Sequence, residues 1–233
     1  MLNLRQKDIL YAVINQFMKS GEPVSSYDLY KFYDFGIKPA MIRNELLKLS
    51  EMGYLDQPYY SSGRIPTDLA YEFFIQDLVN QEINIKLDEV MINLFKKMAW
   101  EDLAEKISKN LGVLSLITNI PEEEFVYKEG LEYLIDNLDW HTKDEIKEII
   151  KDSEGLEDKI INNENILKEE NFIKIFIGKK NPLTKNKSLS IIMSDYDLDG
   201  ERILILTMGP KRMNYKKAFC ILKGLKNYFY SNE

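Results

Sequence analysis

The stretch that most constrains this 233-residue chain runs from Gly36 to Asp68, GIKPAMIRNELLKLSEMGYLDQPYYSSGRIPTD. Pro39 suits a first helical position, where its missing N–H costs nothing. Ile42, Leu46 and Leu49 then recur at the spacing of a helix that buries one stripe. That stripe leaves Lys38, Ala40, Met41, Arg43, Asn44 and Lys48 largely on the outer face. Gly53 supplies a left-handed stop. Tyr54-Leu55 and Ile65 flank a polar tip, Ser61-Ser62-Gly63-Arg64, as the strands of a short hairpin do. A helix with an Arg-Asn pair near its front, followed by a hairpin with Arg at its tip, has the parts of a winged helix-turn-helix. Such a helix fits the major groove, where Arg and Asn make bidentate contacts to guanine and adenine edges. A tip arginine reaches a phosphate or the minor groove. Spacing alone also admits an ordinary helix-hairpin with Arg43 and Asn44 merely solvated, or a winged helix that docks protein.

Around this stretch the periodicity predicts a core-facing helix from Leu4 to Ser20, carrying Ile9, Leu10, Val13, Ile14 and Phe17 and closed by Gly21. Ser25, with Asp28 three residues on, opens a second helix that turns Leu29 and Phe32 inward. Three helices and a wing in about 65 residues match a winged-helix domain. Thr67 then caps a fourth helix with Leu69, Phe73, Phe74 and Leu78 on one side. A polar linker or frayed helix end, residues 80–87, marks a boundary between a domain at 1–80 and one at 81–233. In the second part a long helix is expected from about Asp88 to Asn110, with Val90, Leu94, Met98, Leu103 and Ile107 buried. A strand over Gly112 to Ile117 follows. The acidic middle, from about Glu129 to Glu170, reads as three helices, centred on Leu131–Leu138, Ile146–Ile150 and Ile160–Ile166. Strands at Phe172–Ile177, Leu189–Met193 and Arg202–Met208 come next, the last ended by Gly209-Pro210. Tyr215 to Tyr230 closes the chain as an amphipathic helix. Strands joined by hairpins among helices make an α+β fold rather than a doubly wound sheet.

Several residue runs resemble those of the heat-inducible transcription repressor (HrcA) family. Ala40, Ile42-Arg43-Asn44-Glu45, Gly53-Tyr54-Leu55, Pro58, Ser61 and Gly63-Arg64-Ile65-Pro66-Thr67 follow its ATIRNE…L…GYL…PHTSAGRIPT pattern. Residues 21–26, GEPVSS, are similar to its GEPVGS. Gly209 to Tyr215 resembles its closing GPTRMDY, Phe176-Ile177-Gly178 with Asn181-Pro182 its IGxENP segment, and Tyr127 to Leu138 the helix that precedes them. Tyr59 and Tyr60 stand where the family has His-Thr, Ser62 stands for Ala, and Lys38 for a small capping residue. The resemblance implies a winged helix-turn-helix followed by a GAF-like regulatory domain with a helical insertion used in dimerisation. The chain is substantially shorter than the family usually is, with only about Asn119 to Phe125 in place of a long central stretch, so this is a reduced member.

The resemblance further implies a homodimeric, cytoplasmic repressor of chaperone genes acting on inverted-repeat double-stranded DNA, with the GroEL chaperonin as a partner. On that reading Arg43 and Asn44 address base edges, Lys38 and Lys48 phosphates, and Arg64 and Ser61 belong to the wing, with Ala40 also on the DNA side. Two other readings stand beside it: a winged-helix protein-interaction module, and a small-ligand-sensing regulator.

Charge sharpens the comparison. The net charge is −7, and it is uneven. Residues 1–80 carry 8 Lys/Arg against 10 Asp/Glu, residues 81–170 carry 11 against 23, and residues 171–233 carry 12 against 5. A basic domain is the usual footprint of a nucleic-acid binder. Weak non-specific affinity is therefore expected, with specificity resting on a few placed contacts and on dimerisation.

Other chemistry is not found. The single Cys220 excludes an internal disulfide and suits a reducing cytoplasm. With one cysteine and one histidine, His141, no nitrogen–sulfur zinc set forms. Asp195 to Gly200 imitates the start of a calcium loop, but Leu206 stands where the bidentate acid belongs, and Asp-Gly between apolar strands reads better as a hairpin turn. Gly178-Lys179-Lys180 lacks the spaced glycines of a phosphate loop. Glu122-Glu123-Glu124 reads as a solvated loop or helix start. The Lys216, Lys217, Lys223, Lys226 face, opposite Phe219, Leu222 and Phe229, reads as the solvated side of a packed helix rather than a membrane-binding one. No apolar run reaches the roughly 18 residues of a membrane span, and the N-terminus lacks the plan of a signal peptide. No enzyme, metal or cofactor is expected.

Overall fold

The structure, a computed structural model, describes residues 2–81, 85–120, 124–138, 142–163, 166 and 173–230. The chain forms two compact units, Met1–Gln81 and Glu82–Glu233, and is of mixed α+β construction.

In the first unit, α1 (Leu4–Ser20) starts on a reciprocal cap: the Gln6 amide donates to the Asn3 side chain at 2.9 Å while the Asn3 amide donates to Gln6 Oε1 at 3.1 Å. It stops at Gly21, whose φ of 69° is left-handed. Ile9, Leu10, Val13 and Ile14 are fully buried. The second helix, α2 (Ser26–Phe32), carries the expected Ser25–Asp28 capping box. It ends within seven residues, so Leu29 is buried but Phe32 is 57% exposed, against expectation. Next comes α3 (Pro39–Glu51), which buries Ile42, Leu46 and Leu49. A two-stranded antiparallel hairpin follows, β1 (Leu55–Asp56) against β2 (Ile65–Pro66).

Thr67 caps α4 (Asp68–Asn80) and ties it to the hairpin, its hydroxyl donating to the Gly53 carbonyl at 2.8 Å. Of the predicted stripe only Leu78 is fully buried; Ala70, Tyr71 and Ile75 complete the buried side of α4, and Leu69 faces outward. The stripe slips because Phe73 and Phe74 pack half-exposed, edge-on to Tyr54 and Tyr11. Lys7 and Asp77, 2.6 Å apart, join α1 to α4.

Among the described residues the second unit is a five-stranded antiparallel sheet between helices. Its elements are α5 (Glu89–Lys96), α6 (Trp100–Leu111), β3 (Leu114–Ile120), β4 (Val126–Glu129), α7 (Leu131–Asp136), α8 (Lys143–Glu154), α9 (Leu156–Ile161), β5 (Lys174–Ile177), β6 (Leu189–Leu198), β7 (Glu201–Pro210) and α10 (Tyr215–Tyr230). The strand order is β4-β3-β7-β6-β5. One face presents Leu114, Leu116, Ile191, Met193, Leu204 and Leu206 to Leu134, Ile149, Leu156 and Ile160 of the acidic helices. On the other face α6 lies against β3 and α10 against β6.

Four expectations need correction. The single helix from Asp88 to Asn110 is two. Met98 takes a φ of 53°, and the turn brings the rings of Phe95 and Trp100 together edge-to-face at 5.6 Å. Met91, Phe95 and Trp100 are buried in consequence, while Val90 and Met98 are each 51% exposed. Residues Val126–Glu129, read partly as helix, pair with β3. The helix begins only after Gly130, left-handed at φ 85°. A Cβ there would lie 2.5 Å from the Val113 carbonyl oxygen, so glycine fixes the change from strand to helix. Gly209 and Pro210 do not lie beyond β7 but are its last two residues, paired with Ser190 and Leu189. Finally, β6 runs past Met193 to Leu198, where Asp199 (φ 56°) and Gly200 (φ 88°) make the expected two-residue hairpin turn. Of the predicted linker, Ile85 and Leu87 lie against Gly224 of α10. His141, Glu122, Glu123 and Phe172 lie outside the described residues.

Tyr215 anchors α10. It is fully buried; its hydroxyl donates to the Lys211 carbonyl at 2.7 Å and lies 2.8 Å from Ser190 Oγ. Tyr215→Phe leaves both partners short of a bond in a dry site. It is expected to lower stability by about 1–2 kcal/mol, read as a shifted urea midpoint. An unchanged midpoint would show that the hydroxyl contributes nothing.

Candidate nucleic-acid interface

The outer face of α3 follows from its buried stripe. With Ile42, Leu46 and Leu49 inward, Lys38, Ala40, Arg43, Asn44 and Lys48 are all exposed, as are Met41 and Leu47. Among the described residues no hydrogen bond or ion pair engages the side chains of Lys38, Arg43 or Asn44. Lys38 occupies the N-cap position without capping the helix. A cation there sits at the positive end of the helix dipole, so an approaching anion relieves an unfavourable arrangement. Lys48 differs. It donates to Glu45 at 2.9 Å, and Glu45 also accepts from Gln6 Nε2 at 3.2 Å. The Lys48 ammonium holds the Glu45 carboxyl below the usual carboxylate range, so part of the lysine's charge is already used within the unit.

The hairpin departs from expectation at its arginine. The tip is Tyr60-Ser61, in a turn closed by the Ser62 amide on the Tyr59 carbonyl at 3.0 Å. Ser61 takes a left-handed φ of 69°, as the third residue of a type II turn does. Tyr60 is 97% exposed. Arg64 is not at the tip but at the foot of β2. Its amide donates to the Val24 carbonyl at 2.8 Å, and the Val24 amide donates back at 2.9 Å. Its Nε donates to Ser50 Oγ at 2.9 Å. The hairpin lies so close to the chain before α2 that a Cβ on Gly63 would sit 2.5 Å from the Val24 carbonyl carbon and 2.7 Å from that of Pro23. Only glycine permits this approach.

Between these parts opens a cleft of about 400 Å³, walled by Arg43 and Leu46 of α3, Ser25 at the head of α2, and Tyr60, Ser61 and Arg64 of the hairpin. The structure therefore brings together Arg43, Ser61 and Arg64. Lys38, Ala40, Asn44 and Lys48 share the α3 surface but do not line the cleft. Tyr60, Ser25 and Gln57, which do, are not among the site residues the sequence points to; for Tyr60 the one signal is its departure, with Tyr59, from the family's His-Thr.

The calcium-like run is the end of β6 and its hairpin turn, and Asp195 accepts from Arg202 Nε at 2.7 Å. Among the described residues no cluster of His, Cys, Asp or Glu fit to hold a metal ion occurs, and no helix is long and apolar enough to cross a membrane.

These features define a two-unit α+β protein whose first unit sets a helix with unengaged polar side chains beside a glycine-dependent hairpin. Residues 72–219 match the family model described as HrcA protein C terminal domain. The chain belongs to the HrcA family. It is 36% identical over 118 residues to the heat-inducible transcription repressor HrcA of Natranaerobius thermophilus, covering 51% of this chain and 34% of that protein. To the one of Alkaliphilus metalliredigens it is 41% identical over 122 residues, covering 51% and 36%. These matches span about a third of the relatives' length. With the heat-inducible transcription repressor HrcA of Thermoanaerobacter pseudethanolicus, identity is 24% over 320 residues, covering 93% of this chain and 92% of that one. That alignment is longer than the chain itself, so it bridges segments this chain lacks. A crystal structure described only as that of a hypothetical protein shares the fold over the whole of both chains, with a TM-score of 0.73 and 16% identity.

Proposed function

We propose that this chain is a sequence-specific DNA-binding transcription repressor of heat-shock chaperone genes, with a winged helix-turn-helix in its first unit and a GAF-like regulatory and dimerisation domain in its second. The observation that carries the reading is the pair Arg43 and Asn44, adjacent on α3, exposed and unengaged. Arg43 takes a guanine edge and Asn44 an adenine edge. Lys38 takes a phosphate, and Lys48 another at the expense of its bond to Glu45. Arg64 acts from the cleft wall rather than the tip. With Nε fixed on Ser50, its terminal nitrogens form a pre-set fork for a backbone phosphate. The names of the relatives support repression. A homodimer on an inverted repeat and a GroEL-type chaperonin as modulator rest on the family resemblance.

The test is a gel shift against an inverted repeat from the protein's own chaperone promoter, beside a scrambled duplex. Specific retention that weakens as salt rises from about 50 to 200 mM is expected. No shift at the lower salt overturns the reading. It would favour a protein-docking module instead, which the net charge of −2 over residues 1–80 also favours.

A further inference from the structure

We propose that Tyr60 is the hairpin's own contact with DNA, an apolar wedge set against the sugars and base step of the minor groove that flanks the α3 site. The inference rests on the repressor reading and adds a contact of a different chemical kind to it. Tyr60 is 97% exposed, and among the described residues no hydrogen bond or ring contact holds it. A large aromatic side chain left almost wholly in water contributes nothing to this fold. Its mount, however, is stiff. The Ser62 hydroxyl donates to the Tyr59 carbonyl at 2.7 Å, Gln57 Nε2 donates to the Ser62 carbonyl at 3.1 Å, and Gly63 is seated on the Pro23-Val24 backbone. The backbone that carries the ring therefore has little ordering entropy left to lose on binding, and the ring's own rotamers are what binding must fix.

Placement agrees with this. Tyr60 and Arg43 line the same cleft, so both address the same side of the unit. A helix lying in the major groove carries an adjoining hairpin across the sugar–phosphate backbone, where the next groove opens. Arg64, which would make a charged contact from a tip position, is drawn back onto Ser50 and Val24. The first 80 residues carry no net positive charge, so affinity must draw on contacts that release no counterions. Minor-groove proteins use apolar wedges in this way, unstacking or bracing a base step, and aromatic contact with nucleic acid is sequence-tolerant.

The test uses the full chain and an end-labelled inverted-repeat duplex, with affinity, salt dependence and hydroxyl-radical footprint as readouts. Hydroxyl radicals attack sugars from the minor groove, so a wedge there shields a defined flanking patch. Tyr60→Ala is expected to bind about tenfold more weakly, to keep the wild-type salt slope because no charge is lost, and to expose that patch. Tyr60→Phe retains affinity within about twofold, since the ring and not the hydroxyl is the wedge. Wild-type affinity and footprint in Tyr60→Ala, with Arg43→Ala still impaired, would overturn the wedge and leave the repressor reading standing. An equal loss in Tyr60→Phe would overturn it in favour of a hydroxyl contact. Failure of the wild type to bind at about 50 mM salt removes the repressor reading and this proposal together.

Discussion

Replacing Gly63 by alanine is expected to loosen the first unit more than any other single-methyl change near the cleft. The new Cβ would stand 2.5 Å from the Val24 carbonyl carbon and 2.6 Å from its oxygen. Both are main-chain atoms that cannot swing aside as a side-chain end does. Either the hairpin lifts, breaking the two bonds between Val24 and Arg64, or residues 23–24 move and carry the Ser25 cap of α2 with them. Overpacking of this kind costs about 2–3 kcal/mol, or about 10–20 °C in the melting of a unit this size. Hydrogen exchange gives the sharper reading, because the Val24 and Arg64 amides lose protection first. Unchanged protection at both amides would show that the backbone absorbs the methyl group.

Arg43→Ala carries the second large effect, on binding rather than on folding. Its side chain is exposed and makes no contact that holds the unit together, so the melting temperature stays put. If it reads a guanine, affinity for the inverted repeat falls by about 1–3 kcal/mol and discrimination relaxes at that base pair. Lys48→Ala serves as the contrast. Lys48 must surrender an ion pair to Glu45 before it can meet a phosphate; because the lysine end is exposed and Glu45 keeps its bond from Gln6, removing the pair costs about 1 kcal/mol or less in the free protein. Its loss should weaken all duplexes alike and modestly. Equal losses for Arg43→Ala on specific and scrambled DNA would refute a base-reading role.

The first unit is legible in sequence where local rules decide. The Ser25 and Thr67 caps, the stripe Ile42–Leu46–Leu49 and the stops at Gly21 and Gly53 are all set within one or two turns of chain. What escapes depends on distant partners. Arg64 reads as a tip residue because it adjoins Gly63. Its position is settled by Val24 and Ser50, forty and fourteen residues away. Phe32 and Leu69 fit an inward pattern, yet α2 is too short to turn Phe32 inward and the aromatic contacts of Phe73 and Phe74 rotate α4. The break at Met98 has no glycine or proline to announce it. The aromatic packing of Phe95 against both Trp100 and Tyr196 accompanies it, and the last of these lies a hundred residues on. Among the candidate site residues, exposure of the α3 set follows from periodicity alone, whereas the grouping of Arg43 with Ser61 and Arg64 needs the closed hairpin.

The order of strands in the second unit has a consequence for how the chain is made. β7, the strand at the middle of the sheet, is the last of the five to leave the ribosome, and β3 and β4 emerge some eighty residues before it. Until residue 210 is available β3 has a bare flank, the kind of edge that recruits strands from other molecules. The tight β6–β7 turn closes quickly once present, but joining it to β3 is a long-range step and so a slow one. Newborn copies of this protein thus spend their most adhesive interval waiting for residues 201–210, and loss of that strand would cost the sheet its centre rather than its margin.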